Sequence, residues 1–243
     1  MGIEAALDGF MRVAILMANT DESDFAQRHP KDGQKFTELM ALARPGWAYD
    51  VYAVKDREFP AELDAADGYL ITGSPASVNE PASWKSRLER LVVELSNARV
   101  PLYGACFGHQ IIAKALGGRV SSNPQGWEKG VRIAKYEGEA LAGFASHSEQ
   151  VLSLPEGAET LASAPGCPVA AFRIGAHIET TQYHPEMTLD FFTALLEELG
   201  PSLPAGVASE AWASLDTLPD RAAWAARIAR FFEAGIAARK KAA

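Results

Sequence analysis

The stretch PLYGACFGHQ, residues 101–110, is the most informative part of this sequence. It begins as a short apolar run and ends in a helical pattern, and Cys106 stands at the junction between Gly104 and Gly108. Small residues on both sides of one nucleophile permit the sharp strand-to-helix turn called a nucleophile elbow. The helix that follows directs its dipole at the sulfur and stabilises the thiolate form. The stretch therefore predicts a reactive cysteine.

Strands and helices alternate on both sides of this stretch. Buried strands are predicted at 12–18, 49–54, 67–75 and 100–105. Helical spacing occurs at 35–43, 83–95 and 108–118. This alternation is typical of an α/β fold in which an open, mostly parallel sheet carries helices on both faces. Ligands of such sheets bind beyond the carboxyl ends of the strands, which is where Cys106 falls.

The second half of the chain has a different rhythm. Between residues 119 and 186, short β-like pieces are separated by Gly and Pro, which favours antiparallel additions to the sheet. Helices are predicted at 188–199 and at about 221–241. Trp212 and Trp224 lie in this last part, where we expect intramolecular packing, with a partner surface as the alternative.

The composition excludes several classes of protein. With 48% hydrophobic and 22% charged residues, the chain resembles an ordinary globular domain, and its net charge of −8 argues against nucleic-acid binding. The N-terminal apolar run is too short and broken to span a membrane and lacks the features of an export signal. Cys106 and Cys167 give neither a disulfide framework nor a metal-ligand spacing, so we expect a cytoplasmic protein without a metal.

A cysteine nucleophile needs a histidine to carry protons and a third group to orient that histidine. His184 ends a β-like run, and Pro185 keeps it out of the helical region. In extended backbone, residues i and i+2 share a face, so the carboxylate of Glu186 can reach the imidazole. These residues complete a predicted set of Cys106, His184 and Glu186.

The remaining histidines and the second cysteine receive other interpretations. His109 lies in the same turn as Cys106, but its place on the new helix directs it away from the sulfur. His29 and His177 have no chemical neighbours in the sequence and are interpreted as surface or packing residues. Cys167, within ProGlyCysPro, is interpreted as a loop residue without a catalytic role.

The motifs GACFGHQ (104–110) and QYHPE (182–186) resemble those of the triad-type class I glutamine amidotransferases. The chain is most similar to the glutaminase domain of GMP synthase and its free-standing relatives, which implies a flavodoxin-like fold. The resemblance implies an amidotransferase domain at residues 12–199. Residues 1–11 would be a leader, and residues 200–243 a helical extension packed on the same domain.

The resemblance also implies an oxyanion hole. YLITGSPASV (69–78) is similar to the family loop that supplies one backbone amide, although many relatives have GlyGlyPro where this chain has Gly73, Ser74 and Pro75. By position the donor would be Ser74, with Gly73 giving the loop its conformational freedom. The second amide would be that of Phe107, directly after the nucleophile.

Two further segments resemble the family's substrate-binding positions. Residues 145–155 are similar to a Ser-His-x-Asp-x-Val segment that lines the glutamine pocket, which implies substrate contacts for Ser146, His147 and Ser148. Glu149 stands where the family has Asp, and His147 is expected to be a pocket-wall residue rather than a base. Gln110 matches a position that contacts the amino-acid end of the substrate.

The implied reaction is the hydrolysis of glutamine. Cys106 attacks the side-chain amide, His184 protonates the departing ammonia, and water releases glutamate from the γ-glutamyl thioester. No cofactor is implied, because the chain has neither a nucleotide-binding glycine motif nor a segment resembling the ATP pyrophosphatase loop of GMP synthase. Ammonia would therefore pass to a separate synthetase subunit or to no acceptor at all.

Three alternatives stay open from the sequence. The same thioester chemistry would serve a γ-glutamyl peptidase or transferase acting on a larger compound, such as a glutathione conjugate. A non-catalytic binding or regulatory module would retain the fold without turnover. A redox-sensing thiol at Cys106 would leave His184 and Glu186 without a purpose. The oligomeric state is left open.

Overall fold

The computed structural model describes residues 10–242, so all but the last two residues of the predicted leader lie outside the described residues. Of those two, Phe10 is exposed and Met11 is buried. Among the described residues, no helix combines the length and apolar character that crossing a membrane requires.

Eleven strands and seven α-helices are present in this part of the chain. The strands are β1 Arg12–Met17, β2 Ala48–Ala53, β3 Gly68–Ile71, β4 Leu102–Ala105, β5 Arg119–Ser122, β6 Glu128–Tyr136, β7 Glu139–His147, β8 Glu149–Ser153, β9 Ala158–Ala164, β10 Cys167–Ile174 and β11 Ile178–Thr181. The helices are α1 Asp24–Arg28, α2 Asp32–Ala41, α3 Ser83–Asn97, α4 Phe107–Ala115, α5 Leu189–Leu199, α6 Val207–Ala213 and α7 Arg221–Ala242.

Nine of the strands form one mixed sheet, in the order β2-β1-β3-β4-β11-β10-β9-β6-β7. The first five strands are parallel, and the pairs from β11 to β7 are antiparallel. The parallel part has the strand order of flavodoxin-like sheets if β11 is counted as the fifth strand. The predicted α/β fold with a mostly parallel sheet is confirmed, and β5 and β8 form a small separate sheet that was not predicted.

Helices cover both faces of the parallel strands because these strands are apolar on both sides. On β3, Tyr69 and Ile71 pack with α3 and α4, whereas Leu70 faces α2 and α7. The alternation follows the two-residue period of a strand. Each fully buried large side chain of this kind stabilises the fold by about 1.5–3 kcal/mol. This rigid core fixes the carboxyl ends of the parallel strands.

Helix α7 lies on the same face of the sheet as α2. It buries Ile228 and Phe232 against that face, and Trp224 donates through Nε1 to the Ala142 carbonyl at 2.7 Å. Trp224 is thus an intramolecular packing residue, whereas Trp212 on α6 is 40% exposed.

The prediction that Cys167 lies in a loop is wrong. Gly166, with φ of 81°, makes the turn, and Cys167 is the first residue of β10, paired with Ala164. Its side chain is fully buried, and burial raises the pKa of its thiol to about 12. The local sequence indicated the turn, but it did not indicate that the chain re-enters the sheet at Cys167.

Candidate active site

The elbow at Cys106 joins β4 to α4 in a single residue. Cys106 has φ of 50° and ψ of −103°, a backbone conformation that residues other than glycine rarely adopt. A Cβ at Gly104 would lie 2.6 Å from the carbonyl of Gly108, and a Cβ at Gly108 would collide with the carbonyl oxygen of Ile71. Both glycines are therefore required for the helix to start this close to the sheet.

His184 reaches Cys106 from the neighbouring strand. The chain leaves β11, and the amide of His184 donates to the carbonyl of Phe144 on β7 at 2.9 Å, which holds the residue in extended backbone. Its Nδ1 lies 2.7 Å from Oε1 of Glu186, and its ring lies close enough to Cys106 for that side chain to raise the pKa of His184. The structure thus brings together the three residues that the sequence singled out.

The electrostatics of this cluster favour a charged imidazole. Burial lowers the pKa of His184, but the neighbouring charges of Cys106 and Glu186, together with hydrogen bonds to both, raise that pKa well above its ordinary value. An imidazole that donates through Nδ1 to Glu186 keeps Nε2 for the exchange of a proton with the sulfur. The arrangement can therefore hold a thiolate beside an imidazolium.

The loop after β3 packs directly on this cluster. A Cβ built at Gly73 would lie 2.7 Å from Cε1 of His184 and 3.7 Å from Cβ of Cys106, so no side chain fits there. The Ser74 hydroxyl accepts from the Ala76 amide at 3.2 Å and thereby stays within the loop. The amide of Phe107 is the first of α4 and has no acceptor within its own helix.

A chain of side-chain amides connects the elbow to the next loop. Gln110 donates through Nε2 to the Glu149 carbonyl at 2.7 Å and to Oε1 of Gln182 at 3.2 Å. Gln182 in turn directs its Nε2 at the sulfur of Cys106, 3.6 Å away. Sequence reasoning did not assign a role to Gln182, although its position two residues before His184 placed it on the same face of the chain.

His147 lies in the wall of the site rather than at the sulfur. Its Nδ1 is 3.1 Å from the Glu149 carbonyl, and burial is the main cause that lowers the pKa of His147 to about 4. The ring is therefore neutral near pH 7 and donates to that carbonyl. Ser146 and Ser148 flank it at the same wall, each only partly buried.

Two of the other histidines, His109 and His29, lie as the sequence predicted. His109 is fully buried and directed away from Cys106, with Nδ1 2.8 Å from the hydroxyl of Thr180. His29 is a packing residue whose ring lies 4.4 Å from that of Phe25.

A cleft of about 600 Å³ runs along the carboxyl edge of the sheet, with Cys106 between its two arms. The β6–β7 arm is lined by Trp127, Lys129, Ser146, His147, Ser148 and Glu149. The α1–α2 arm is lined by Phe25, His29, Lys31, Lys35 and Phe191. The strand order places the arms on opposite sides of the elbow.

Two buried lysines line these arms, and no sequence pattern indicated that they belong to the site. Lys35 lies 3.0 Å from Asp32, and its ammonium also lies 3.4 Å from the ring centroid of Phe191. Lys129 donates to the hydroxyl of Ser146 at 2.9 Å. Both lysines enter the cleft only because the chain folds back on itself, so spacing along the sequence could not reveal them.

A metal centre is not evident from the side chains. Within residues 10–242, no group of three or more His, Cys, Asp or Glu side chains is arranged to hold a metal ion.

The open α/β sheet and the cysteine elbow define the class of fold, and comparison with known proteins gives the family. Residues 39–198 match the family model "Glutamine amidotransferase class-I", so the chain belongs to the class I glutamine amidotransferases, and the resemblance read from the motifs is confirmed.

Three known proteins illustrate how far the similarity extends. Gamma-glutamyl peptidase 3 of Arabidopsis thaliana is 31% identical over 88% of this chain and 93% of that protein. GMP synthase [glutamine-hydrolyzing] of Aeropyrum pernix is 34% identical over 51% of this chain but only 25% of that protein. A glutamine amidotransferase structure from Methylobacillus flagellatus has a TM-score of 0.73 at 23% identity, over 95% of this chain and 96% of that one.

Proposed function

We propose that this protein is a cysteine hydrolase of γ-glutamyl amide bonds, and that γ-glutamyl peptides are better substrates for it than free glutamine. The observation that carries the proposal is the cluster of Cys106, His184 and Glu186 in the middle of a cleft of about 600 Å³. A cleft of this volume suits a ligand several times larger than one amino acid.

In the first half of the proposed reaction, the Cys106 thiolate attacks the γ-carbonyl carbon of the substrate. The carbonyl oxygen gains negative charge, for which the backbone amides of Ser74 and Phe107 are the proposed donors. As the C–N bond breaks, the imidazolium of His184 gives its proton to the departing amine. A γ-glutamyl thioester on Cys106 and a neutral His184 remain.

In the second half, water replaces the amine. Neutral His184 takes a proton from the water molecule while the water oxygen attacks the thioester carbon. The C–S bond then breaks, which releases glutamate and regenerates the Cys106 thiolate. Glu186 holds the imidazole through Nδ1 and stabilises its charged form in both steps. The Gln182 amide, 3.6 Å from the sulfur, stabilises the thiolate between turnovers.

The preference for peptides has support beyond the size of the cleft. The similarity to a protein named gamma-glutamyl peptidase spans nearly the whole of both chains. Hydrolysis of free glutamine is the second candidate, and the similarity to part of a GMP synthase favours it. In that case a separate synthetase subunit would be the proposed recipient of ammonia.

The test compares substrates that share one glutamyl group and differ in the leaving amine. We expect kcat/KM to be at least tenfold higher for γ-glutamyl dipeptides than for glutamine, measured by release of glutamate, with the Cys106→Ser variant giving the background rate. A higher kcat/KM for glutamine would favour the second candidate. Equal background-level rates for all substrates would overturn both.

A further inference from the structure

Lys129 is a buried cation without a carboxylate partner. Its side chain is 1% exposed, and its ammonium donates to the hydroxyl of Ser146 at 2.9 Å. Among residues 10–242, no Asp or Glu oxygen lies within 4.0 Å of its Nζ. Lys35, in the opposite arm of the cleft, has Asp32 at 3.0 Å. The two arms therefore differ in that only the α1–α2 arm supplies its buried lysine with a counter-ion.

The position of Lys129 is set by the pairing of β6 with β7, which continues over nine residues of each strand. Lys129 and Ser146 face each other in register across β6 and β7, and both line the cleft that contains Cys106. Burial lowers the pKa of Lys129 to about 8, while the charge of Cys106 acts to raise it. The side chain thus carries its positive charge at neutral pH, with three N–H donors and one neutral acceptor.

A buried charge in this state favours an anionic ligand, because an uncompensated ammonium in a low-dielectric site is costly. A γ-glutamyl group has its reacting carbonyl at one end and a free α-carboxylate at the other. With the carbonyl at Cys106, the carboxylate needs a cation on the glutamyl side of the sulfur. The unpaired ammonium of Lys129 meets that need, whereas that of Lys35 is already neutralised.

We propose that Lys129, oriented by Ser146, binds the α-carboxylate of the γ-glutamyl group and selects substrates in which that carboxylate is free. This inference rests on the proposed function, since it assumes that a γ-glutamyl group occupies the cleft. It assigns the β6–β7 arm to the glutamyl group and leaves the α1–α2 arm for the departing amine.

The test crosses two substrates with four forms of the protein. One γ-glutamyl peptide carries a free α-carboxylate and the other an α-carboxamide at the same carbon. For the wild type, we expect amidation to lower kcat/KM at least tenfold, mainly through KM. Lys129→Met should lose as much on the free carboxylate and should no longer distinguish the two substrates. Lys129→Arg should retain part of the discrimination, because it keeps the charge.

The matched control is Lys135→Met, which removes an exposed lysine from the same strand and should leave both substrates unchanged. Undiminished discrimination in Lys129→Met would overturn the inference. So would a fall in kcat with discrimination intact, since the lysine would then act on the thiolate instead of the carboxylate.

Binding of L-glutamate and of its α-amide, isoglutamine, separates this inference from the proposed function. Calorimetric titration needs no turnover, so it reports on Lys129 even for a protein that hydrolyses neither peptide. We expect the wild type to bind glutamate at least tenfold more tightly than isoglutamine and Lys129→Met to bind both equally. A preference for glutamate that survives in Lys129→Met would contradict the inference, whatever the enzyme assays show.

Discussion

The parallel and antiparallel halves of the sheet contribute different groups to the cleft. The parallel half, β2-β1-β3-β4-β11, presents Cys106 and Gly73 in turns directly after its strands. The antiparallel half, β10-β9-β6-β7, presents Lys129 and Ser146 from within paired strands. Turns allow the unusual backbone that a nucleophile needs, whereas a paired strand holds a side chain rigidly at a fixed distance.

The two cysteines give the sharpest contrast, because each half contains one. A glutamine analogue that alkylates activated thiols should label Cys106 and leave Cys167 unmodified, as peptide mass spectrometry would show. Cys106→Ser should lower kcat/KM by about 10⁴-fold or more, since serine lacks the thiolate. Cys167→Ser should retain activity. Labelling at Cys167 would contradict the assignment of the nucleophile to the parallel half.

Two of the glutamates that line the cleft, Glu186 and Glu149, should differ nearly as much. Glu186→Gln keeps the size of the side chain but removes the charge that stabilises the imidazolium, so we expect kcat to fall by about 10²–10⁴-fold. Glu149→Gln is the control, because the Glu149 carboxylate accepts from Asn79 at the surface, at 3.2 Å, and makes no contact with His184 among residues 10–242. Steady-state kinetics of both variants would contradict this distinction if Glu149→Gln were the more damaging.

Gly73→Ala tests the packing of the parallel half on His184. The new methyl group would lie 2.7 Å from Cε1 of the imidazole and must displace it. Because small displacements of a catalytic group are costly, we expect kcat to fall by about 10²-fold with little change in thermal stability. Gly46→Ala is the control, since a Cβ there meets nothing within 4 Å. Activity near that of the wild type in Gly73→Ala would contradict the contact.

The smallest effect concerns the seam between the halves, where His109 packs against β11 and β10. Burial lowers the pKa of His109 from 6.5 to about 3, so between these pH values the unfolded chain binds more protons than the folded one. The free energy of unfolding should therefore decrease as the pH falls below about 6.5, with His109 contributing up to about 1.4 kcal/mol per pH unit.

His109→Asn should flatten that dependence, measured by urea unfolding between pH 7 and pH 4, even if the variant is less stable at pH 7. His29→Asn, at the edge of the cleft, serves as the comparison. An unchanged slope in His109→Asn would contradict the prediction, because His109 would then bind protons equally in the folded and unfolded states.

What the sequence predicted follows the same division. The strands and helices around Cys106 were predicted because buried parallel strands are continuous apolar runs and their helices repeat at 3.6 residues. The pairing of His184 with Glu186 was predicted because two residues in extended backbone share a face.

The antiparallel half was predicted less well. Its pairing depends on contacts between distant segments, so the place of Cys167 in β10 was missed, and the separate β5–β8 sheet was missed for the same reason. Lys129 was missed for a related reason, because its environment is created by strand β7, 17 positions further along the chain. Local patterns cannot report a charge whose neighbours come from another strand.

The backbone of Cys106 carries a consequence for the evolution of the chain. At φ of 50° and ψ of −103°, a residue with a Cβ is strained, and glycine would lower the free energy of the folded state by about 1–3 kcal/mol. A descendant that no longer needed the thiol would gain thermal resistance from glycine at this one position. Cysteine at position 106 therefore makes the folded chain less stable than glycine would, and selection for a reactive thiol would maintain it.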